Sequence, residues 1–519
     1  MHASEKRGVA QDRMRQAFLS MDRRENASMS SCSVRDSFTQ PPWQSSDLGI
    51  PIPDSAHAVS VAMPTWDSVV GYEEDDAKVM RALQCGYPRF FCHPKVQALF
   101  DEATRRFARA GEASLVFGSK AACERCRDFL CVESRIEAWP ESEACALVFP
   151  KSSRSKALRY WRYTGEIVSS RQAEAMLTGQ EASADGKAAQ QLLKRLASWS
   201  DQSSSNGHLY ASGMAAIFAA FRAAIDGGAP GKTIQLEFPY VDVFCIQKHL
   251  GEGAHLLLGN DLVSGLERYL RDESIRAVFC EIPCNPLTRT IDLPEVSRLC
   301  RAAGVPLIVD DTLGTIHTVD VYPYADLVTT SLTKNISGMG DVMAGSVWVS
   351  ETSPFAEQFQ RFLSEDESAP LHPLDVDVLL TNSKDFPQRM QVINANAKQL
   401  ASFLAERAEV ERIYYPDRET VANYKRLRRS TGGNGGLISL VLRGGEEAAR
   451  KFYDALRVSK GPSLGTNFTL ACPYTLLAHY EELAWAESCG VSRNLIRLAV
   501  GMEPLEDLQS RFESAFAAI

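Results

Sequence analysis

The stretch ADLVTTSLTKNISGMGDVMAGSVWVS, residues 325–350, decides the fold of this chain. Its β-branched start predicts a strand over 327–330, and a second strand is predicted over 342–349 after a glycine-rich link. The single cation of the stretch, Lys334, lies in the turn between the two strands. Burial between apolar strands disfavours the charged form of an amine, so a neutral, nucleophilic fraction becomes available. The stretch therefore predicts a lysine that reacts with carbonyl compounds.

Two hydroxyl groups precede this lysine on the same turn. Ser331 and Thr333 stand three residues and one residue before Lys334, where they are suited to holding a phosphate group. A Schiff-base lysine beside a phosphate site indicates pyridoxal 5'-phosphate as the cofactor. The alternative interpretation, a surface lysine in an ordinary loop, would be preferred for an S-x-T-K motif that stood alone.

The composition describes a soluble globular chain. Of its 519 residues, 45% are hydrophobic and 23% are charged, which is ordinary for such proteins. The formal net charge of −9 argues against nucleic-acid binding as the main role. We find no apolar run that could cross a bilayer and no secretory signal, so no membrane partner is expected.

The thirteen cysteines are interpreted as reduced thiols in a cytoplasmic compartment. Cys123 and Cys126 form a C-x-x-C pair, but no second pair follows at the spacing of a zinc site. A lone pair is weak evidence for metal or redox chemistry, and no metal is expected.

The distribution of residue types along the chain predicts four segments. A polar, Ser-rich start predicts a disordered tail, with a transit peptide as the alternative. In the middle, strands alternate with helices, which predicts an α/β fold with a mostly parallel sheet between helices. The predicted segments are a tail (1–55), an N-terminal extension with a helical region over 96–133 and a strand over 145–150 (56–156), a large cofactor-binding domain (157–370) and a small α+β domain (371–519).

Several polar residues follow the predicted strands, where sites in parallel sheets lie. Asp310 ends an apolar strand and suits a protonated pyridine nitrogen, although an ion-paired aspartate is the alternative. Asn285 follows the preceding strand, and Tyr240 follows another strand, where it could stack on a ring or be an ordinary core aromatic. Arg497 lies in an apolar run and suits a substrate carboxylate, with a structural salt bridge as the alternative.

A second phosphate-binding element is predicted at Ser212-Gly213-Met214, which opens an Ala-rich helix. A helix N-terminus offers free N–H groups and a positive dipole, and a glycine lets a phosphate approach the backbone. A capped, buried helix without a ligand is the alternative interpretation.

Taken together, these motifs resemble the Cys/Met-metabolism PLP enzymes, the cystathionine γ-synthase family. The blocks AVSVAMPTW, VVGYEE and CGYPRFF near the N-terminus resemble its fungal-type branch in particular. The motifs that carry the resemblance are YASGMAAI (210–217), EIPCNP (281–286), VDDT (309–312), SLTK (331–334), GDVMAG (340–345), SLGT (463–466) and IRLAVGME (496–503).

The resemblance implies an aspartate-aminotransferase-like fold of type I and a role for each matching residue. Lys334 would carry the cofactor and move protons. Tyr240 would stack on the cofactor ring and be the second catalytic residue. The other implied contacts are Asp310 to the pyridine nitrogen, Asn285 near the ring oxygen, Gly213, Met214, Ser331 and Thr333 to the phosphate, and Ser463 and Arg497 to the substrate carboxylate.

The family also completes its phosphate site with a Tyr-x-Arg from a neighbouring subunit, which implies a homodimer or homotetramer. Tyr160 and Arg162 fit this spelling, but the usual Asn-Pro-Thr does not follow them, and Arg171 is a rival. Pro462 stands where many relatives have an acidic residue, and V-D-V-F replaces the usual polar loop after Tyr240. Both departures concern the pocket for the amino-acid substrate.

The expected reaction is γ-replacement, in which L-cysteine joins an O-activated homoserine to give cystathionine. Within the family, a sulfhydrylase that uses sulfide and a β- or γ-lyase are alternatives that the same cofactor residues would serve. A catalytically silent paralogue is the alternative from another class.

Overall fold

The computed structural model describes residues 35–140, 142–180, 186–228, 230–368 and 370–519. A seven-stranded sheet with the order β6-β12-β11-β10-β9-β7-β8 forms its centre, and all strands run parallel except β12. The predicted α/β fold with a mostly parallel sheet is confirmed. The strands are β6 (Gly207–Tyr210), β7 (Lys232–Leu236), β8 (Ala254–Leu257), β9 (Ile275–Glu281), β10 (Leu307–Asp310), β11 (Leu327–Ser331) and β12 (Gly345–Val349).

Helices cover both faces of this sheet. Alternate residues of β9 point to opposite sides, since Val278 belongs to one hydrophobic cluster and Phe279 to another. We number the helices from the N-terminus of the described chain. Those of the large sheet are α7 (Lys187–Ser200), α8 (Gly213–Ile225), α9 (Val241–His249), α10 (Leu262–Asp272), α11 (Leu293–Ala303), α12 (Ala356–Glu365) and α13 (Pro373–Asn382).

A second sheet, with the order β13-β14-β17-β16-β15, forms the C-terminal block. Its neighbours are antiparallel except for the parallel pair of β15 and β16. The predicted α+β pattern of this part is therefore observed. Its elements are α14 (Phe386–Ala405), β13 (Val410–Tyr414), α15 (Val421–Leu427), β14 (Leu437–Leu442), α16 (Gly445–Ala455), β15 (Ser459–Lys460), β16 (Leu470–Pro473), α17 (Tyr474–His479), α18 (Leu483–Ser488), β17 (Ile496–Ala499) and α19 (Leu505–Phe516).

The N-terminal block is built on an antiparallel sheet with the order β3-β5-β4. The helical region expected over 96–133 is wrong in its middle, where the apolar strand β3 separates two helices. The first helix ends at Phe107, and Gly111, just before the strand, has a φ of +88°, a left-handed conformation that glycine adopts readily. The elements are α3 (Pro94–Phe107), β3 (Glu112–Phe117), α4 (Lys120–Leu130), β4 (Arg135–Ala138), β5 (Cys145–Pro150), α5 (Arg154–Thr164) and α6 (Ser170–Thr178).

Helix α5 and the start of α6 belong to the core of this N-terminal block. Ala157, Trp161 and Ala173 are buried in the same cluster as the side chains of β3 and β5. The sequence pattern predicts that the large domain begins at residue 157. In the structure, the apolar face of α5 packs on β3 and β5 of the N-terminal block instead.

Residues 35–93, which we call the N-terminal arm, run across the C-terminal block. The prediction of a disordered tail over 1–55 is wrong from residue 35 onward, because Arg35 forms an ion pair with Asp47 at 2.8 Å and β1 pairs with β2. Residues 1–34 lie outside the described ranges. The elements of the arm are β1 (Pro51–Ile52), β2 (Ser60–Val61), α1 (Trp66–Glu73) and α2 (Ala77–Ala82).

Polar contacts fix the arm to the C-terminal block. The buried Lys460 Nζ donates to the carbonyl oxygens of Pro64 at 2.8 Å and of Asp454 at 3.0 Å. The hydroxyl of Tyr453 donates to the carbonyl oxygen of Met63 at 2.7 Å. Among the described residues, no helix has both the length and the apolar character that a membrane span requires.

Candidate active site

A cavity of about 140 Å³ lies between the carboxyl edge of the large sheet, the C-terminal block and the N-terminal arm. The edge gathers polar groups because β9 and β10 end in register, with Glu281 beside Asp310. Eight residues predicted from the sequence line this cavity: Gly213, Met214, Tyr240, Asn285, Asp310, Ser331, Lys334 and Arg497.

Lys334 follows β11 and projects into the cavity. Its Nζ donates to Ser463 Oγ at 3.2 Å and lies 4.3 Å from the centre of the Tyr87 ring. Burial, more than any charge, lowers the pKa of Lys334, and the nearby Arg497 acts in the same direction. The lysine is thus buried, and its neutral form is easier to reach than that of an exposed lysine, as expected for a nucleophilic amine.

The N-terminus of α8 and the end of β11 form a cradle for an anion. A Cβ atom on Gly213 would lie 2.7 Å from Ser331 Cβ and 2.8 Å from its Oγ. The Ser331 hydroxyl is buried without a hydrogen-bond partner, and α8 directs its free N–H groups to the same place. These features fit the phosphate of the expected cofactor.

Asp310 ends β10 at the floor of the cavity. Its Oδ1 accepts a hydrogen bond from the Thr312 N–H at 2.8 Å, and burial raises its pKa to about 6. A buried carboxylate of this kind is stabilised by a cation, and the protonated pyridine nitrogen of pyridoxal phosphate would supply one. The arrangement therefore fits the ring of that cofactor.

Glu281, which the sequence analysis did not single out, fixes two neighbours of the cavity. Its carboxylate accepts hydrogen bonds from the backbone N–H groups of Tyr240 and of Asn285. Burial and the charge of Asp310 raise the pKa of Glu281 to about 8. A signal for this role was present, because the glutamate opens the EIPCNP motif.

Arg497, on β17, is a buried cation at the cavity wall. Its guanidinium donates to Asn285 Oδ1 at 3.3 Å and to the carbonyl oxygens of Pro462 and Ser463, both at 3.1 Å. Within the described ranges, no side-chain carboxylate pairs with it. A buried guanidinium that faces a cavity without an anionic partner is suited to binding a carboxylate ligand.

Two other predicted residues lie next to the cavity instead of on its wall. Thr333 Oγ1 is engaged with the backbone of Ala344, donating to its carbonyl at 3.2 Å and accepting from its N–H at 3.0 Å. The Thr333 hydroxyl therefore stabilises the turn between β11 and β12. Ser463 lies beside Lys334, whose Nζ donates a hydrogen bond to the serine hydroxyl.

The interpretation of Tyr160 and Arg162 as the Tyr-x-Arg of a phosphate site is wrong for the tyrosine. Tyr160 is 2% exposed and lies among the rings of Phe117, Phe129 and Phe218, and it does not line the described cavity. Arg162 lies behind the cavity wall, with its guanidinium 4.0 Å from the centre of the Phe90 ring.

The rival residue, Arg171, is also engaged elsewhere. Its Nη1 donates to the Asp341 carbonyl at 2.7 Å and to Asp375 at 3.2 Å. These contacts join α6 to the large sheet and leave no free guanidinium for a ligand.

A second Tyr-x-Arg, which the sequence analysis overlooked, does line the cavity. Tyr87 and Arg89 belong to the arm, in the G-Y-P-R-F-F block that had been quoted only for its resemblance. Burial alone would raise the pKa of Tyr87, but the charges of Lys334 and Arg89 outweigh it and lower that pKa. The spelling was visible in the sequence, and only the fold shows which copy faces the cavity.

The C-x-x-C pair has a structural environment. Cys123 and Cys126 are both buried in the core of the N-terminal block, and burial raises the pKa of both thiols. Raised pKa values favour the unreactive thiol form. The described residues contain no cluster of three or more potential metal ligands.

An enzyme of the pyridoxal-phosphate class needs a lysine at a sheet edge, an anion cradle for the phosphate and a carboxylate for the ring nitrogen. The geometry above provides each of these, and comparison with known proteins gives the same class. The chain belongs to the family described as Cys/Met metabolism PLP-dependent enzymes, whose model matches residues 188–517. A second model, the N-terminal domain of fungal trans-sulfuration enzymes, matches residues 95–169. The cofactor is therefore pyridoxal 5'-phosphate.

Curated relatives match nearly the whole chain. A cystathionine gamma-synthase from Neurospora crassa is 33% identical, with 92% of this chain and 98% of the relative covered. An L-2-amino-4-chloropent-4-enoate dechlorinase/desaturase from Streptantibioticus cattleyicolor is 30% identical, with 90% and 97% covered. The chain thus resembles enzymes that differ in reaction.

A solved structure supports the fold. The metB protein from Corynebacterium glutamicum superposes with a TM-score of 0.56 and 25% identity, covering 63% of this chain and 84% of that one.

Proposed function

We propose that this enzyme carries out γ-replacement, in which L-cysteine takes the place of the leaving group of an O-activated homoserine and cystathionine is released. The observation that carries the proposal is Arg497, a buried guanidinium at the cavity wall without an anionic partner among the described residues. It would bind the α-carboxylate of an amino acid, together with Ser463, and hold the substrate beside Lys334.

Proton movement is assigned to Lys334 and Tyr87. When bound, pyridoxal phosphate withdraws electrons from the α-carbon of the substrate through its amino nitrogen, so that the proton on that carbon becomes acidic. Lys334 Nζ, with its lowered pKa, would accept and return such protons. The Tyr87 hydroxyl, whose pKa is also lowered, would stabilise the protonated form of that amine.

Other residues would hold the cofactor still. Tyr240 would stack on the ring and Asp310 would pair with its nitrogen, while Gly213, Met214 and Ser331 would enclose the phosphate. Asn285 would lie beside the ring oxygen of the cofactor, because the hydrogen bond from its backbone N–H to Glu281 fixes its position. Arg89 would add positive charge from the arm.

A second candidate is γ-elimination without an added nucleophile, giving the lyase alternative. Apolar side chains contribute part of the lining, and the cations lining the described cavity are Arg89, Lys334 and Arg497. Arg89 is engaged by other protein groups, so a second amino-acid carboxylate lacks an evident partner there. Elimination binds a single amino acid, so this is the observation in support of the lyase alternative, whereas Arg497 and Lys334 would serve either reaction.

Product analysis of the cofactor-loaded protein separates these candidates. The assay would offer O-acetyl-, O-succinyl- or O-phosphohomoserine, each with cysteine, with sulfide and with no thiol. We expect cystathionine from cysteine. Homocysteine from sulfide alone would instead identify a sulfhydrylase, and release of 2-oxobutyrate without a thiol would identify a lyase.

Lys334→Ala tests the assignment of the lysine itself. The variant should lose the visible absorption of the lysine-bound cofactor and at least about 1,000-fold in turnover, because nucleophile and proton carrier are removed together. A variant that keeps both the absorption and the turnover would contradict the assignment.

A further inference from the structure

An unusually buried ion pair lies behind the cavity wall. Asp242, in the first turn of α9, accepts a hydrogen bond from Arg89 Nη1 at 2.6 Å, and the two side chains are 0% and 1% exposed. Asp242 itself does not line the cavity, whereas Arg89 does. Asp242 occupies the V-D-V-F sequence, where the chain departs from the family pattern.

The ion pair is connected to Tyr240. The other terminal nitrogen of Arg89, Nη2, donates to Tyr240 Oη at 2.5 Å. A guanidinium has only donors, so the tyrosine oxygen is the acceptor and its own proton remains free for another group. The backbone N–H of Tyr240 is bound by Glu281, so the residue is held at both ends.

A second guanidinium approaches the same carboxylate. Arg162 Nε lies 3.5 Å from Asp242 Oδ1, and neither atom has a hydrogen-bond partner. The carbonyl oxygen of Arg162 accepts a hydrogen bond from Arg89 at 2.7 Å. One carboxylate thus separates two like charges that would otherwise repel each other, and the cluster keeps a net positive charge beside the cavity.

We propose that Asp242 is a positioning residue of the active site, which holds Arg89 so that its guanidinium fixes the hydroxyl of Tyr240 and faces the cofactor. Asp242 acts only through Arg89. Arg89 is also packed against the rings of Phe90 and Tyr240, with its Cζ 5.2 Å and 5.6 Å from their centres. These contacts restrict the conformations that the guanidinium can adopt. The proposal concerns how the cofactor is held and does not depend on which γ-substitution follows.

Asp242→Asn is the central variant, because asparagine keeps the size and one acceptor oxygen while it removes the charge. Titration of the cofactor-free protein with pyridoxal phosphate should give a Kd raised by about tenfold or more, as expected for weakening of a buried charged hydrogen bond. The visible circular dichroism of the bound cofactor, which reports the orientation of its ring, should fall. Asp242→Ala should show larger changes of the same kind.

Asp366→Asn is the matched control. Asp366 forms a comparable buried ion pair with Arg222 at 2.7 Å, and neither residue lines the cavity. This variant should lower the melting temperature to a similar extent and leave the Kd for pyridoxal phosphate within about twofold. If Asp242→Asn behaves in the same way as this control, Asp242 is only structural and the proposal is overturned.

A double-mutant cycle tests the route through Arg89. In an Arg89→Ala background, Asp242→Asn should change the Kd by less than about twofold, since the residue on which it acts is gone. Equal effects of Asp242→Asn with and without Arg89 would show that the aspartate acts by another route, and would overturn the proposal.

Discussion

At the scale of the residue, the buried carboxylate of Asp310 destabilises the folded protein and is suited to binding the ring nitrogen of the cofactor. Its pKa of about 6 in the folded protein lies above that of an aspartate in an unfolded chain, which is about 3.9. As pH rises the unfolded chain loses its proton first, so the folded state becomes less stable between about pH 4 and pH 6 and stays so above.

We therefore expect Asp310→Asn to raise the free energy of unfolding of the cofactor-free protein at pH 8 by on the order of 2–3 kcal/mol. The gain should vanish near pH 4, and affinity for pyridoxal phosphate should fall because the ring nitrogen loses its partner. Urea unfolding at both pH values and cofactor titration measure these effects. A gain independent of pH would contradict the explanation.

Asp311→Asn provides the comparison for that experiment. Burial raises the pKa of Asp311 to about 7, but its Oδ1 accepts a hydrogen bond from Thr330 and it does not line the cavity. We expect a pH-dependent gain in stability here as well. Cofactor affinity should stay within about twofold, which separates the two roles of a buried aspartate.

The placement of individual residues at the cavity was predictable where the signal is local. Lys334 and Asn285 follow predicted strands and Asp310 ends one, and parallel strands bring their carboxyl ends together. Tyr87 was missed because Tyr-x-Arg is spelled twice, and burial of Tyr160 among phenylalanines depends on how distant segments pack. Sequence spacing carries no information on that packing.

At the scale of the element, the phosphate cradle depends on one glycine at the start of α8. Gly213→Ala would place a Cβ 2.7 Å from Ser331 Cβ, so the start of α8 and Ser331, which together form the cradle for the phosphate, would have to move apart. The Kd for pyridoxal phosphate should rise by about tenfold or more, whereas binding of pyridoxal, which has no phosphate, should change little. Spectroscopic titration with both ligands measures this difference.

Gly265→Ala in α10 is a suitable control for the glycine experiment. Its added Cβ would meet only the side chain of Leu257, at 3.1 Å or more, and neither residue lines the cavity. It should leave both affinities unchanged. An equal loss for pyridoxal and for pyridoxal phosphate in Gly213→Ala would show that the glycine does not serve the phosphate.

The elements of the large sheet were predicted well because their patterns are regular. Strands such as β9 have an apolar centre, at residues 277–280, and alternate with helices of similar length, which leaves few other folds. The N-terminal block was predicted less well, since the short apolar run of β3 sits between two amphipathic helices. Only its pairing with β5 distinguishes it from one turn of a longer helix.

At the scale of the whole molecule, the cavity is completed by an arm that belongs to the same chain. The resemblance led us to expect a Tyr-x-Arg from a neighbouring subunit, in a homodimer or homotetramer. Here Arg89 donates a hydrogen bond to the Arg162 carbonyl. Phe91 lines the cavity, and only Cys92 and His93 separate it from α3. Two residues span at most about 7 Å, so the arm and the N-terminal block approach the cavity together.

This arrangement makes a prediction for mixed oligomers. Lys334→Ala and Arg89→Ala chains carrying different affinity tags would be co-expressed, and hybrids would be purified through both tags. If each chain supplies Arg89 to its own cavity, every site in a hybrid lacks one of the two residues, and activity should stay at the level of the separate variants. If the arm crossed to the partner, one of the two sites in a hybrid dimer would contain both residues and activity would return. Restored activity would therefore show that the arm is exchanged between subunits, whereas inactive hybrids, or a failure of the chains to associate, would show that a single chain builds the whole site.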